Sequence, residues 1–167
     1  MSWNARGRYA LVLASMTVLQ LGLFSDLRIG GVHPDITLLV AVVSGLVAGP
    51  RRGAVIGFWA GLLIDPVLPT PLGMTALVWA KVGFAAGVAE ELINSHTPLG
   101  LSLFVLGGSA GGSLMYAVVG QLFGAQTLTG NDVGRVVGLI SATNALLALP
   151  TIAVVEWAEE SRSNITR

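Results

Sequence analysis

Two neighbouring apolar runs in this chain are too short to cross a bilayer alone, and that constrains the fold more than any other feature. The second apolar run is ITLLVAVVSGLVAG, the 14 residues from Ile36 to Gly49. The third is the 13 residues from Gly53 to Asp65. At about 1.5 Å per residue each covers about 20 Å, whereas a bilayer core is about 30 Å thick. They form either thinly spanning helices or a re-entrant hairpin held inside protein, where neighbours satisfy the backbone ends. Composition is what brings the bilayer in. Only 11% of the 167 residues are charged, 53% are hydrophobic and the mean hydropathy is +0.77. Soluble domains carry about 25% charged residues, so lipid is the solvent this composition fits.

The apolar runs predict an all-α integral membrane protein of about six helices with a short central hairpin. The helices are expected over about residues 9–28, 35–49, 52–66, 72–90, 98–123 and 134–157, in a single transmembrane domain spanning 1–167. Pro34 and Asp35 suit a helix start, where a carboxylate complements the helix dipole. Gly49-Pro50-Arg51-Arg52 is a stop signal, and Pro150 predicts a kink in the sixth run. Arg6 and Arg8 ahead of the run Tyr9 to Phe24 also fit a signal peptide. The following SDLRIGG is a poor cleavage site, so a retained helix is expected.

Lys and Arg in short loops set orientation. With the N-terminus cytoplasmic, Arg6, Arg8, Arg51, Arg52, Arg162 and Arg167 lie inside, and Arg28 and Arg135 outside. Both termini are therefore expected in the cytoplasm. The formal net charge of zero argues against nucleic acid as a partner. The absence of Cys excludes disulfides and thiolate metal sites.

Glycine rows mark close helix packing. Gly53, Gly57 and Gly61 form two overlapping GxxxG steps, Gly45 and Gly49 another, and Gly83 and Gly87 another. Gly108, Gly112, Gly120 and Gly124 follow a four-residue row interrupted by Tyr116. Each row is either an internal ridge or a groove for a partner's helix. The internal reading is favoured for any single row, with room for one to serve a partner.

Few residues offer chemistry. Gly107-Gly108-Ser109-Ala110-Gly111 matches G-x-S-x-G, but that motif needs a strand-turn-helix elbow, and here it lies in an apolar helix. The only histidines, His33 and His96, fall in loops on opposite sides, away from Ser109 and from each other. Ser109 therefore reads as a packing residue, and no metal site or cofactor is expected. Lys81 is the one basic residue deep in an apolar run, and should face the interior or a counter-charge. Asp65, at the end of the third run, is its expected partner. The three prolines of GLLIDPVLPTPLG, with Pro71 and Gly73 closing it, make that stretch a turn. Glu90, Glu91, Glu156, Glu159 and Glu160 read chiefly as solvated helix ends, or else as a docking surface for a basic partner.

The stretch from Pro34 to Leu77 carries a pattern: Pro34-Asp35, a Pro-Arg-Arg turn, G-F-x-x-G-L-L-x-D from Gly57 to Asp65, and P-L-G-M-T-A-L from Pro71. It resembles the MreD family of bacterial rod shape-determining membrane proteins. The pattern maps onto Pro34, Asp35, Gly57, Phe58, Gly61, Asp65, Leu72 and Gly73, positions without assigned chemistry. The resemblance implies a plasma-membrane protein without catalytic activity. It would act in peptidoglycan elongation with an MreC-like protein, a RodA-like glycosyltransferase, a class B penicillin-binding protein and an MreB-like filament. It also implies a fold similar to the substrate-binding subunits of energy-coupling-factor vitamin transporters. The three turn prolines and Lys81 depart from the family pattern.

Two functions are compatible with these readings. One is a scaffold binding MreC-like and other membrane partners through close-packing faces. Pro34, Asp35, Gly53, Gly57, Gly61, Asp65, Pro71, Gly73 and Lys81 are its candidate partner-binding or structural positions. The other is the substrate-binding subunit of a vitamin or small-solute importer, with the Ala10–Ala14 step as a docking surface. Its site would draw on Asp26, Arg28, His33, Asp35, Asn131, Asp132 and Arg135.

Overall fold

The computed structural model describes residues 5–22, 32–93, 97–125 and 132–159, which are helical and contain no strand. The helices are α1 (Ala5–Leu21), α2 (Ile36–Ala48), α3 (Pro50–Ile64), α4 (Met74–Ile93), α5 (Pro98–Leu122), α6 (Val133–Leu146) and α7 (Ala148–Glu159). A 3₁₀ turn, Asp65–Val67, follows α3.

Everything is arranged around α2. Its residues from Ile36 to Leu46 are all buried, by contacts with α1, α3, α4, α5 and α7. A helix start buried in protein needs partners for its free N–H groups. Asp35 Oδ1 accepts the Leu38 N–H at 2.9 Å and the Thr37 hydroxyl at 2.7 Å. Gln20 Oε1, from the end of α1, accepts the Ile36 N–H at 2.9 Å, and Gln20 Nε2 donates to the Pro34 carbonyl at 3.0 Å. The expected cap at Pro34-Asp35 is present, with a second arm from α1. At the other end Gly49 takes φ 82°, a left-handed conformation that releases the chain directly into Pro50 of α3.

Glycine brings α3 and α4 into backbone contact. A Cβ added at Gly53 would lie 2.4 Å from the Gly83 carbonyl oxygen, and one at Gly57 2.3 Å from that of Trp79. At Gly61 it would meet the Ala76 Cα at 2.6 Å. Gly83 in turn faces the Gly53 carbonyl, Gly87 faces Pro50, and Gly45 of α2 faces Gly83. These rows are internal ridges, filled by one another, and are not open to a partner's helix. On α5, Gly108 packs on Val42 and Gly112 on Leu38, while Gly107 and Gly111 meet nothing within 4 Å.

The sixth expected helix is two. It breaks at Leu147, where α6 and α7 meet at a 58° bend. Pro150 sits three residues on, inside the first turn of α7, and its ring excludes the carbonyl four residues back. The proline thus acts upstream of its own position. The first helix starts and ends earlier than expected, and residues 23–28 of the expected span lie outside the described residues. Among the described residues, α5 is long and apolar enough to cross a membrane, and α6 with α7 reaches that length only as a bent pair.

Candidate functional site

The turn between α3 and α4 is organised by Asp65. The residue closes α3 and is only 2% exposed. Its Oδ2 accepts the Gly73 N–H at 2.8 Å and the Ala76 N–H at 3.3 Å, and its Oδ1 accepts the Thr75 N–H at 3.1 Å. The carboxylate therefore caps the first turn of α4, where the helix dipole favours negative charge. Gly73, at φ 91°, turns the chain into that position. Pro71 is exposed at the tip, and its carbonyl accepts the Met74 N–H at 3.0 Å. Asp65 is a structural carboxylate, and its partners are backbone groups. Lys81 is not one of them. It lies on the exposed side of α4, and among the described residues it has no carboxylate partner. The expected Asp65–Lys81 pair does not form, because Trp79 and Val82 occupy the inner face and leave Lys81 on the outer one.

At the same end of the bundle, a cavity of about 350 Å³ opens between the start of α2 and helices α4, α5 and α6. One wall is a hydrogen-bonded chain. Trp79 Nε1 donates to Thr37 Oγ1 at 3.2 Å, and the Thr37 hydroxyl donates to Asp35 Oδ1. Tyr116 stands beside Trp79, ring centroids 5.5 Å apart. Ser113 reaches the cavity from α5 with a buried Oγ that has no hydrogen-bond partner. Asp132 stands at the rim as the N-cap of α6, but its side chain makes no capping hydrogen bond. Val133, Val136, Val137 and Ile140 supply an apolar floor. Asp35 and Asp132 belong to the outer polar groups singled out in the sequence. Trp79 and Ser113 belong to no motif in the sequence, and Tyr116 shows there only as the interruption of the α5 glycine row.

The opposite end is closed by a clasp. The Arg8 Nη1 donates to the Trp157 carbonyl at 2.6 Å, and its guanidinium lies 4.7 Å from the centroid of the Trp157 ring. The Tyr9 hydroxyl donates to Glu159 Oε1 at 2.6 Å, and Arg52 pairs with Glu159 Oε2. Glu159 is thus not a solvated helix end: it ties α1, α3 and α7 together. Glu156 is exposed, and Glu160, Arg162 and Arg167 lie outside the described residues.

Ser109 is fully buried, and its Oγ accepts a hydrogen bond from Asn144 Nδ2 at 3.1 Å. It joins α5 to α6 just before the bend. Its hydrogen-bond partner among the described residues is this amide, and His96 lies outside them.

Residues 7–152 match the family model described as rod shape-determining protein MreD. No curated protein and no solved structure matches the chain.

Proposed function

Because the chain belongs to the MreD family of rod shape-determining membrane proteins, we propose that it is a non-enzymatic scaffold of the peptidoglycan elongation machinery. On this reading it forms a single multi-pass domain in the bacterial plasma membrane, of a plan similar to energy-coupling-factor substrate-binding subunits. It binds an MreC-like protein, in an assembly that includes a RodA-like glycosyltransferase, a class B penicillin-binding protein and an MreB-like filament. The observation that carries the reading is the family match over residues 7–152.

Both termini are cytoplasmic in this proposal. Supporting it, Arg8 and Arg52 meet α7 at one end of the bundle, beside Arg51, as the positive-inside rule asks of a cytoplasmic face. The chain has no Cys, so single cysteines can be placed and labelled without background. Arg51→Cys should be shielded from a membrane-impermeant maleimide in intact cells, and Pro71→Cys should react. The reverse pattern rejects the orientation. For the function, a tagged chain should co-purify with an MreC-like protein, and its depletion in a rod-shaped host should give round cells. Normal shape and normal wall synthesis after depletion reject the scaffold.

A further inference from the structure

We propose that the cavity between α2, α4, α5 and α6 binds a protonated amine carried on a small apolar body. Its volume, about 350 Å³, lies at the lower end of the range for small-molecule sites, about 300–1,000 Å³. Two features of the lining specify the ligand.

The first is charge. Asp35 and Asp132 both line the cavity, and none of its described lining residues is basic. Arg135, one turn into α6, is exposed and is not part of the wall. Among the described residues, neither carboxylate has an ion-pair partner. The Thr37 hydroxyl and the Leu38 N–H both bond to Asp35 Oδ1, and among the described residues no side chain is seen to donate to Oδ2. Asp132 is not spent on capping its helix. Two carboxyl groups, with no basic side chain among the described lining, disfavour an anion at this concave apolar site and suit a cation. The second feature is an unpaired acceptor. Ser113 is 9% exposed and its Oγ has no partner, although a buried hydroxyl ordinarily finds one. An ammonium group offers three N–H donors, matched by Asp35, Asp132 and Ser113. The apolar body of the ligand lies along Val136 and Ile140. The Trp79 and Tyr116 rings, packed against each other, also line the cavity, and aromatic rings are favourable neighbours for a cation. A neutral apolar molecule would leave the Ser113 hydroxyl unpaired, and a carboxylate or phosphate would meet two carboxyl groups.

The test uses the full chain in phosphatidylcholine nanodiscs, titrated calorimetrically with octylammonium, with 1-octanol and octanoate as neutral and anionic controls. Empty nanodiscs correct for partition into lipid. Octylammonium should bind saturably at one site per chain, and the two controls should not. Asp35→Asn and Asp132→Asn should each weaken binding by about tenfold or more, the loss of one charge-assisted hydrogen bond. Asn also caps helices well, so Asp35→Asn should keep its thermal melting midpoint; Ser113→Ala, which removes no charge, gives a milder loss and guards against a folding artefact. Repeating the titration with phosphatidylethanolamine in the nanodisc distinguishes the source of the amine. Competition by that lipid assigns the site to a bilayer headgroup, and unaltered octylammonium binding assigns it to a soluble amine. Equal binding of octylammonium and octanol, or full octylammonium binding in the double Asp→Asn variant, overturns the proposal.

Discussion

Replacing Gly57 by alanine should destabilise the bundle, whereas the same change at Gly111 should stabilise it. The Gly57 methyl would lie 2.3 Å from the Trp79 carbonyl oxygen and 2.8 Å from its carbon. Non-bonded heavy atoms settle at about 3.5 Å, so α3 and α4 must part by about 1 Å. Sliding offers no escape, because Gly53 and Gly61 on the same face meet the backbone of Gly83 and Ala76 just as closely. Overpacking costs about 1–3 kcal/mol. The obstacle here is backbone, not a movable side-chain tip, so the cost should reach about 3 kcal/mol. Alanine returns about 1 kcal/mol of helix propensity over glycine. The net loss of about 2 kcal/mol lowers the folded-to-unfolded ratio roughly 30-fold. Gly111 has nothing within 4 Å, so only the propensity gain of about 1 kcal/mol remains there. Equilibrium unfolding of both variants in bicelles, read by steric trapping or by SDS titration, should separate them by about 3 kcal/mol. If Gly57→Ala is as stable as Gly111→Ala, the reading of this face as a backbone-contact ridge is wrong.

Asp65→Ala removes the acceptor of three backbone N–H groups and should cost about 3 kcal/mol or more in the same unfolding assay. Lys81→Met should stay within about 0.5 kcal/mol of the parent, and the Asp65→Asn, Lys81→Met double change should be additive; a coupling above about 0.5 kcal/mol would restore the pair. The clasp is partly exposed, with Arg52 and Glu159 side chains at 31% and 19%, so Glu159→Gln should cost about 1 kcal/mol, less in high salt. Ser109→Ala leaves the buried Asn144 amide without its acceptor and should cost about 1 kcal/mol, less than the roughly 2 kcal/mol ceiling for such bonds in membrane bundles.

What the sequence made legible follows the reach of each interaction along the chain. Pro34-Asp35 announces its helix because the cap acts on Leu38, three residues away. The glycine rows announce close packing because the period itself is local. Asp65 is different: its partners lie eight to eleven residues on, across a turn whose shape depends on the prolines and on Gly73. Lys81 was misplaced for a simpler reason. Successive residues turn by about 100°, so residue 81 points roughly opposite to residue 79. Once the row of Ala76, Trp79, Gly83 and Gly87 is known to face α2 and α3, Lys81 must face out. The cavity was the least legible part, because Ser113 and Tyr116 reach it from α5 and Trp79 from α4. No sequence period joins separate helices.

The short hairpin that constrained the sequence most now has a physical resolution, and its two arms solve the length problem differently. A spanning helix needs about 20 apolar residues because lipid cannot satisfy a frayed end or an exposed loop. The 13 residues of α2 escape that demand because α2 has no lipid-facing side from Ile36 to Leu46. Its starting N–H groups are taken by Gln20 and Asp35, and at its other end the Gly49 N–H still bonds back to the Gly45 carbonyl. It is a core helix, apolar all round because protein surrounds it. The α3 helix cannot use that solution, since Val55, Phe58, Trp59 and Leu63 are exposed along it. It lengthens instead. The 3₁₀ turn Asp65–Val67 follows Ile64 directly, and Val67 there is 60% exposed and apolar. The 15 residues of α3 and the 3 of the turn would measure about 27 Å at helical rise, with Arg51 and Arg52 in the first turn of the helix. Asp65, the first residue of the 3₁₀ turn, hides its charge against the α4 backbone. The residue that reads as an interruption of the apolar run is held inside the protein by the first turn of the helix that follows it.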